Sequence, residues 1–262
     1  MTADNHIHTR FSPDGNGDPE TFVLAAIAHG MRHVVFTEHV DLHYCHPDFA
    51  PVDLPAYFAC VRQLQAKYAD KIYVGAGLEV GYTPQNKADN KALIAQYRPD
   101  YVINSVHQVG ASDCWFPQYF ADKSAREAYA LYLDAVRESL NAPYEYHAVG
   151  HIGYVCRNAP FDAFLHSDHA AQTDAILQEI VKRGKILEIN TSCRKPWLGT
   201  LPERALVLRY AALGGRKLCF ASDAHDPKDL CRNYAAAKRL AADAGVAEQT
   251  VIEHGREIRC PF

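Results

Sequence analysis

A parallel α/β fold closed into a TIM-like barrel is the architecture that three features of this 262-residue sequence predict. Short apolar or β-branched runs alternate with stretches of helical character. Caps and breakers fall at the junctions between them. Ionisable residues collect just where the short runs end, which is where a barrel carries its chemistry.

The short runs are Asn5–His8, His33–Thr37, Lys71–Leu78, Tyr101–Val106, Tyr146–Val149, Ile186–Asn190 and Lys217–Ala221, each of a length and composition suited to a buried strand. Helical character occupies Pro19–His29, Leu54–Tyr68, Asn86–Gln96, Lys123–Leu140, His169–Arg183, Pro202–Leu213 and Asp229–Ala244. Asp18-Pro19-Glu20 has the form of an N-cap followed by proline at the first helical position. Gly30, Gly184, Gly214 and Gly245 follow helical runs, as helix terminators do.

An apolar fraction of 48% is enough for one sizeable core. No repeat, low-complexity tract or Pro/Gly/Ser linker divides the chain, so residues 1–262 read as a single domain. A net charge of −4 leaves no broad cationic face, which argues against a nucleic-acid partner. No run approaches the roughly 18 apolar residues of a membrane span, and Met1-Thr2-Ala3-Asp4-Asn5-His6 lacks a basic and then apolar signal. The expectation is a cytoplasmic protein with no membrane partner, and the sequence carries no sign of its oligomeric state. Eight cysteines are scattered without a Cys-x-x-Cys pair, against both a thiolate zinc site and a disulfide scaffold.

The fourteen histidines carry the functional signal through their positions. His6-Ile7-His8 places two imidazoles on one face of the first strand, because side chains alternate with a period of two. Later strands end in Thr37-Glu38-His39, Gly77-Leu78-Glu79, Ser105-Val106-His107, Gly150-His151 and Ser222-Asp223-Ala224-His225. A single histidine in such a place is ordinarily a hydrogen-bonded packing residue. Six segments alike have no ordinary packing explanation, since a buried unpaired ionisable group is costly and a bound cation removes that cost. His29, His33, His166, His169 and His254 lie in or beside helical stretches and read as surface or packing residues, and His147 would need a strand distortion to share the site of His151.

This set of segments, beginning with His6-Ile7-His8-Thr9-Arg10-Phe11-Ser12-Pro13-Asp14-Gly15, resembles the polymerase and histidinol phosphatase (PHP) superfamily over nearly the whole chain. The resemblance implies a distorted (β/α)7 barrel and three divalent metal ions. One ion would be held by His6, His8 and Asp223, which share Glu79 as a bridge with a second ion on His107 and His151. The third would be held by Asp14, His39 and His225. The nitrogen and oxygen donors suit zinc, manganese or iron.

Such a cluster fits hydrolysis of a small phosphate monoester by a metal-activated hydroxide, with Asp223 or a metal-bound water as proton donor to the leaving oxygen. No Asp-x-Asp stands at a strand end, against an aspartyl-phosphate mechanism. Within the resemblance, Arg157 and Arg194 correspond to phosphate-binding arginines of monofunctional histidinol phosphatases, which implies L-histidinol phosphate as substrate. Another small phosphate, such as a nucleotide or sugar phosphate, is the alternative. The segment Gln108–Ala121 either folds over the mouth as a lid, with Asp113 pairing with an ammonium group, or buries its aromatics against its helix. His43 and His46 are candidates for the rim. A polymerase accessory domain is disfavoured by length and the lack of basic stretches, and a non-catalytic metal-stabilised binding protein by the completeness of the nine candidate ligands.

Overall fold

Seven parallel strands hydrogen-bond in chain order in a computed structural model that describes residues 3–46, 49–162, 165–193, 195 and 198–262. They are β1 (Ala3–Ile7), β2 (His33–Val40), β3 (Tyr73–Gly81), β4 (Tyr101–Ser105), β5 (Ala148–Val149), β6 (Ile186–Asn190) and β7 (Leu218–Ala221). Besides a single turn at Leu165–Asp168, the helices among the described residues are α1 (Pro19–Ala28), α2 (Leu54–Lys67), α3 (Lys87–Tyr97), α4 (Ala125–Ser139), α5 (Ala170–Lys182), α6 (Arg204–Ala212) and α7 (Tyr234–Asp243). The result is a distorted (β/α)7 barrel, as expected.

Local chemistry explains where the helices begin and end. Asp18 caps α1 by accepting from the Glu20 amide at 2.9 Å, with Pro19 at the first helical position. Ser124 and Glu127 form a reciprocal capping box at the start of α4. Gly30 and Gly184 leave their helices at φ of +68° and +63°, a region that a side chain disfavours. The last helix starts later than expected: Pro227–Asp229 form a separate 3-10 turn, and Cys231 and Asn233 adopt left-handed backbone before Tyr234.

Between β1 and β7 the barrel closes irregularly. Ile7 pairs with Ala224 just past β7, the His8 amide donates to Ala224 O at 2.8 Å, and the Asp223 amide donates to His6 O at 2.9 Å. Lower in this seam, side chains replace ladder bonds: Asn5 Nδ2 donates to Phe220 O at 3.2 Å, and Asp4 Oδ1 accepts from the Ser222 amide at 3.0 Å.

Alternation within the strands divides the barrel interior by depth. Val35, Tyr101, Ile103, Ala148, Ile186 and Cys219 form a buried apolar cluster, completed by Ile252. Ile252 belongs to a C-terminal antiparallel hairpin, β8 (Glu248–Glu253) and β9 (Arg256–Pro261), which the sequence reading did not anticipate. A second, much larger cluster packs the outer strand faces against the helices. No helix among the described residues is long and apolar enough to cross a membrane.

The expected strand Tyr146–Val149 shortens to Ala148–Val149, and His147 shows why. Its Nδ1 accepts from the Val102 amide at 3.0 Å, so a ring nitrogen stands where a ladder carbonyl would. Burial, reinforced by Lys185, pushes this imidazole down to about 4. Between that value and the ordinary 6.5 the unfolded chain binds the proton and the folded chain does not, so unfolding stability falls as pH drops from 6.5 toward 4. Urea unfolding at pH 7, 6, 5 and 4.5 should show this decline. His147→Asn, which keeps an acceptor but cannot titrate, should reduce its slope.

Candidate active site

A cavity of about 660 Å³ opens at the C-terminal end of the strands, lined among others by Asp14, His39, Glu79, His107, His151, Asp223 and His225. His6 and His8 lie fully buried beside it, within 3.4 Å of the Glu79 carboxylate. The structure thus brings all nine sequence-proposed ligands to one place.

Glu79 is at the centre. Its Oε1 lies 2.6 Å from His151 Nε2 and 3.2 Å from His107 Nε2, and accepts from Ser105 Oγ at 2.8 Å. Its Oε2 lies 3.4 Å from both His6 Nε2 and His8 Nε2, and 3.0 Å from His39 Nδ1, yet accepts no hydrogen bond. On the far side of the pair, Asp223 Oδ1 is 3.7 Å from His6 Nε2 and 3.3 Å from His8 Nε2. The two imidazole nitrogens are 2.9 Å apart. At the outer lip, half-exposed Asp14 reaches His39 Nε2 at 3.7 Å and His225 Nε2 at 3.2 Å.

Charge is unevenly held in this cluster. Burial pulls the His6 imidazole down, but Glu188, Glu79 and Asp223 together outweigh it and hold it well above its ordinary value. Burial and the neighbouring His39 and His225 hold His8 well below. His39 rises to about 9 because Glu79, Asp14 and Asp41 outweigh burial. For Glu79, burial raises the carboxyl, and His6, His107, His39 and His151 bring it well below the carboxylate range. The carboxylates therefore demand positive charge between them.

Other partners fix the far nitrogen of several rings, which decides which nitrogen faces the cluster. Glu188 Oε2 is 2.8 Å from His6 Nδ1, Asp41 Oδ1 is 2.9 Å from His107 Nδ1, and Ser12 Oγ is 3.2 Å from His8 Nδ1. Ser12 in turn donates to buried Glu38 at 2.5 Å. The sequence reading gave Glu188, Asp41, Ser12 and Glu38 no role in holding the rings. Glu188 was discoverable, since Glu188 and Asn190 alternate with apolar neighbours in β6 and so share its inner face. Asp41 lies beyond β2, where no periodicity applies.

Arg157 is buried, and its Nη2 donates to Asp223 Oδ2 at 2.5 Å, Ser192 Oγ at 2.8 Å and Asn190 Oδ1 at 3.3 Å. Its Nε is buried with no partner. Asp223 itself takes φ of +52° and accepts from Arg157, Asn190 and Ser192. Burial raises its carboxyl, but Arg157 and His6 lead the charges that hold it well below its usual range. Arg194 lies outside the described residues.

The segment Gln108–Ala121 divides between its two expected roles. Tyr119 and Phe120 are buried in the core, whereas Trp115 and Phe116 line the cavity. Asp113 lines it too, and its carboxylate accepts from Tyr44 OH at 2.5 Å, Tyr154 OH at 3.1 Å and the Trp115 amide at 2.5 Å. His46 lines the cavity, stacked on Phe116 with ring centroids 5.1 Å apart. His43 lines a smaller adjoining pocket instead of this cavity: it adopts φ of +60° and turns to Asp89, 2.8 Å from its Nε2.

Comparison with known proteins agrees with this architecture. The family model described as "PHP domain" matches residues 4–192. A histidinol-phosphatase of Lactococcus lactis subsp. lactis (strain IL1403) is 31% identical over 248 residues, covering 94% of this chain and 92% of its own. A crystal structure of histidinol phosphate phosphatase from that organism, complexed with zinc, L-histidinol and phosphate, superposes with a TM-score of 0.91 at 30% identity over 98% of each chain. A structure from Listeria monocytogenes, at 24% identity and a TM-score of 0.78 over 90% of this chain and 99% of its own, shares the fold.

Gly81 is a close-approach position: a Cβ there would sit 1.9 Å from Asp41 Oδ1 and 3.4 Å from His107 Nδ1. Gly81→Ala should cost about 1–3 kcal/mol in urea unfolding, the usual penalty for overpacking. Adding Asp41→Ala removes the clashing carboxylate, so the double variant should lose less than the sum of the two single changes. Simple additivity would disprove the contact.

Proposed function

This chain belongs to the PHP domain family, and we propose that it is a metal-dependent phosphatase that hydrolyses L-histidinol phosphate to L-histidinol and inorganic phosphate, a step of histidine biosynthesis in the cytoplasm. The observation that carries the reading is the shared cavity: one space joins the imidazole–carboxylate cluster to a buried arginine with an unpartnered Nε. The similarity to the Lactococcus lactis protein, whose structure contains zinc, L-histidinol and phosphate, supports the substrate.

The donors fit divalent ions. His6 Nε2 and His8 Nε2 are 2.9 Å apart, and the Asp223 Oδ1 and Glu79 Oε2 atoms lie 3.3–3.7 Å and 3.4 Å from them, close to the edge of about 3.3 Å in a tetrahedron with zinc–nitrogen bonds near 2.0–2.1 Å. The unbonded Glu79 Oε2 is a natural fourth corner. We assign His6, His8, Asp223 and Glu79 to one ion, His107, His151 and Glu79 to a second, and Asp14, His39 and His225 to a third. Divalent ions held there supply Lewis-acid activation of water and neutralise phosphate oxygens.

The chain's own side chains complete the site. Asp41 and Glu188 hold His107 and His6 in register, so the ligand nitrogens need no reorganisation. Arg157, already anchored to Asp223, offers its unpartnered Nε to a phosphate oxygen. Trp115, Phe116, His46 and Tyr154 form an aromatic wall suited to an imidazole ring. Asp113 supplies negative charge for the substrate ammonium, and Arg194 is retained as a second phosphate ligand.

Rates on histidinol phosphate, AMP and an aryl phosphate, measured on protein of known metal content, should favour histidinol phosphate clearly; parity with the aryl ester would sink the substrate assignment. His8→Ala should abolish turnover together with loss of bound metal, read by elemental analysis. A His8→Ala protein with full metal content and full activity would break the ligand assignment.

A further inference from the structure

Among the described residues, the cavity is lined by one more cationic side chain, for which neither the proposed metal sites nor Arg157 accounts. Arg232 lines it together with Asp229, Asn16 and Ser192. Its Nη2 pairs with Asp229 Oδ1, and the two side chains are 41% and 24% exposed. A pair this accessible to water contributes little to stability by itself.

The backbone around it is unlike that of an ordinary surface pair. Arg232 stands between Cys231 at φ of +66° and Asn233 at +52°, two left-handed residues in succession around it that must be held there by their surroundings. Thr191 does the holding: its hydroxyl donates to Arg232 O at 2.6 Å, and Asn233 Nδ2 donates to Thr191 O at 3.3 Å. Thr191 sits between Asn190 and Ser192, and both of these contact Arg157 and Asp223. The loop that presents Arg232 is thereby bolted to the same segment that organises the arginine at the cavity floor.

We infer that Arg232 is a further anion-binding residue of this site, and that Asp229 occupies its guanidinium until the phosphoryl dianion of substrate or product displaces the carboxylate. The exchange is chemically like for like, because the guanidinium fork matches carboxylate and phosphate oxygens alike. It moves a positive charge onto the dianion in a cavity otherwise crowded with Asp14, Asp41, Asp113 and Asp223. The inference rests on the phosphatase reading.

Calorimetric titration of inorganic phosphate into the metal-loaded protein tests it, with melting temperature and metal content measured alongside. Arg232→Met should weaken phosphate binding by about 10- to 100-fold, the scale of a lost charge-assisted bond. Arg232→Lys, a point charge without the fork, should recover part of that loss. Asp229→Asn should tighten binding by about 3- to 10-fold, because the competing carboxylate is gone. Binding by Arg232→Met within about twofold of wild type would overturn the inference, since that is well short of one lost charge-assisted bond. So would Asp229→Asn weakening binding as much as Arg232→Met does, the mark of a local structural pair. The readout is inorganic phosphate, so it stands whichever ester is preferred; a failed substrate panel beside Arg232-sensitive phosphate binding would overturn the histidinol phosphate reading alone.

Discussion

A carboxylate with almost no contact to water, ringed by imidazoles from four different strands or their ends, sets the terms for the whole upper half of this barrel. Glu79 is 1% exposed, and one of its oxygens makes no hydrogen bond. A charge so placed must be compensated by positive charge close by. His6, His39, His107 and His151 surround it, and His6 and His107 are each held by a carboxylate behind. The glycines of the region follow from the same crowding. A Cβ on Gly150 would lie 2.2 Å from Ser105 Oγ, the hydroxyl that bonds Glu79.

The lower half obeys the opposite rule with the same strands. Tyr101 and Ile103 of β4 precede His107, Val35 of β2 precedes His39, and Ile186 of β6 precedes Glu188, so these three strands change from apolar to ionisable along their inner faces. Ile252 joins the apolar layer from the C-terminal hairpin. The polar cluster therefore rests on a dry apolar layer, which favours tight electrostatics within the cluster above it.

Much of this was legible from residue order. The strand–helix alternation and the ends Glu38-His39, Glu79, His107, His151 and Asp223 needed only a period of two and the rule that barrels carry their chemistry at one end. What stayed hidden depends on contacts between segments distant in sequence. Asp41 reaches His107 because Gly81 lacks a side chain. The C-terminal hairpin, unanticipated in the sequence, places Ile252 in the apolar layer of the barrel. His43 follows the strand end that carries Glu38 and His39, but its left-handed backbone sends it to Asp89. Asp113 looked like an open charge in sequence, whereas two tyrosine hydroxyls and an amide already point at it.

The seam between β1 and β7 has a consequence for how the molecule holds itself together. His6 and His8 belong to the first strand and its end, while Asp223 and His225 follow the last one, so the two sides of the irregular seam meet at the cluster. A cation gripped from both sides of this seam would act as a rivet. Its binding energy would then become closure energy for the barrel, and each fold-increase in ion concentration above the dissociation constant would add to conformational stability by mass action. Catalytic competence and architectural integrity would on this view be two readings of one occupancy.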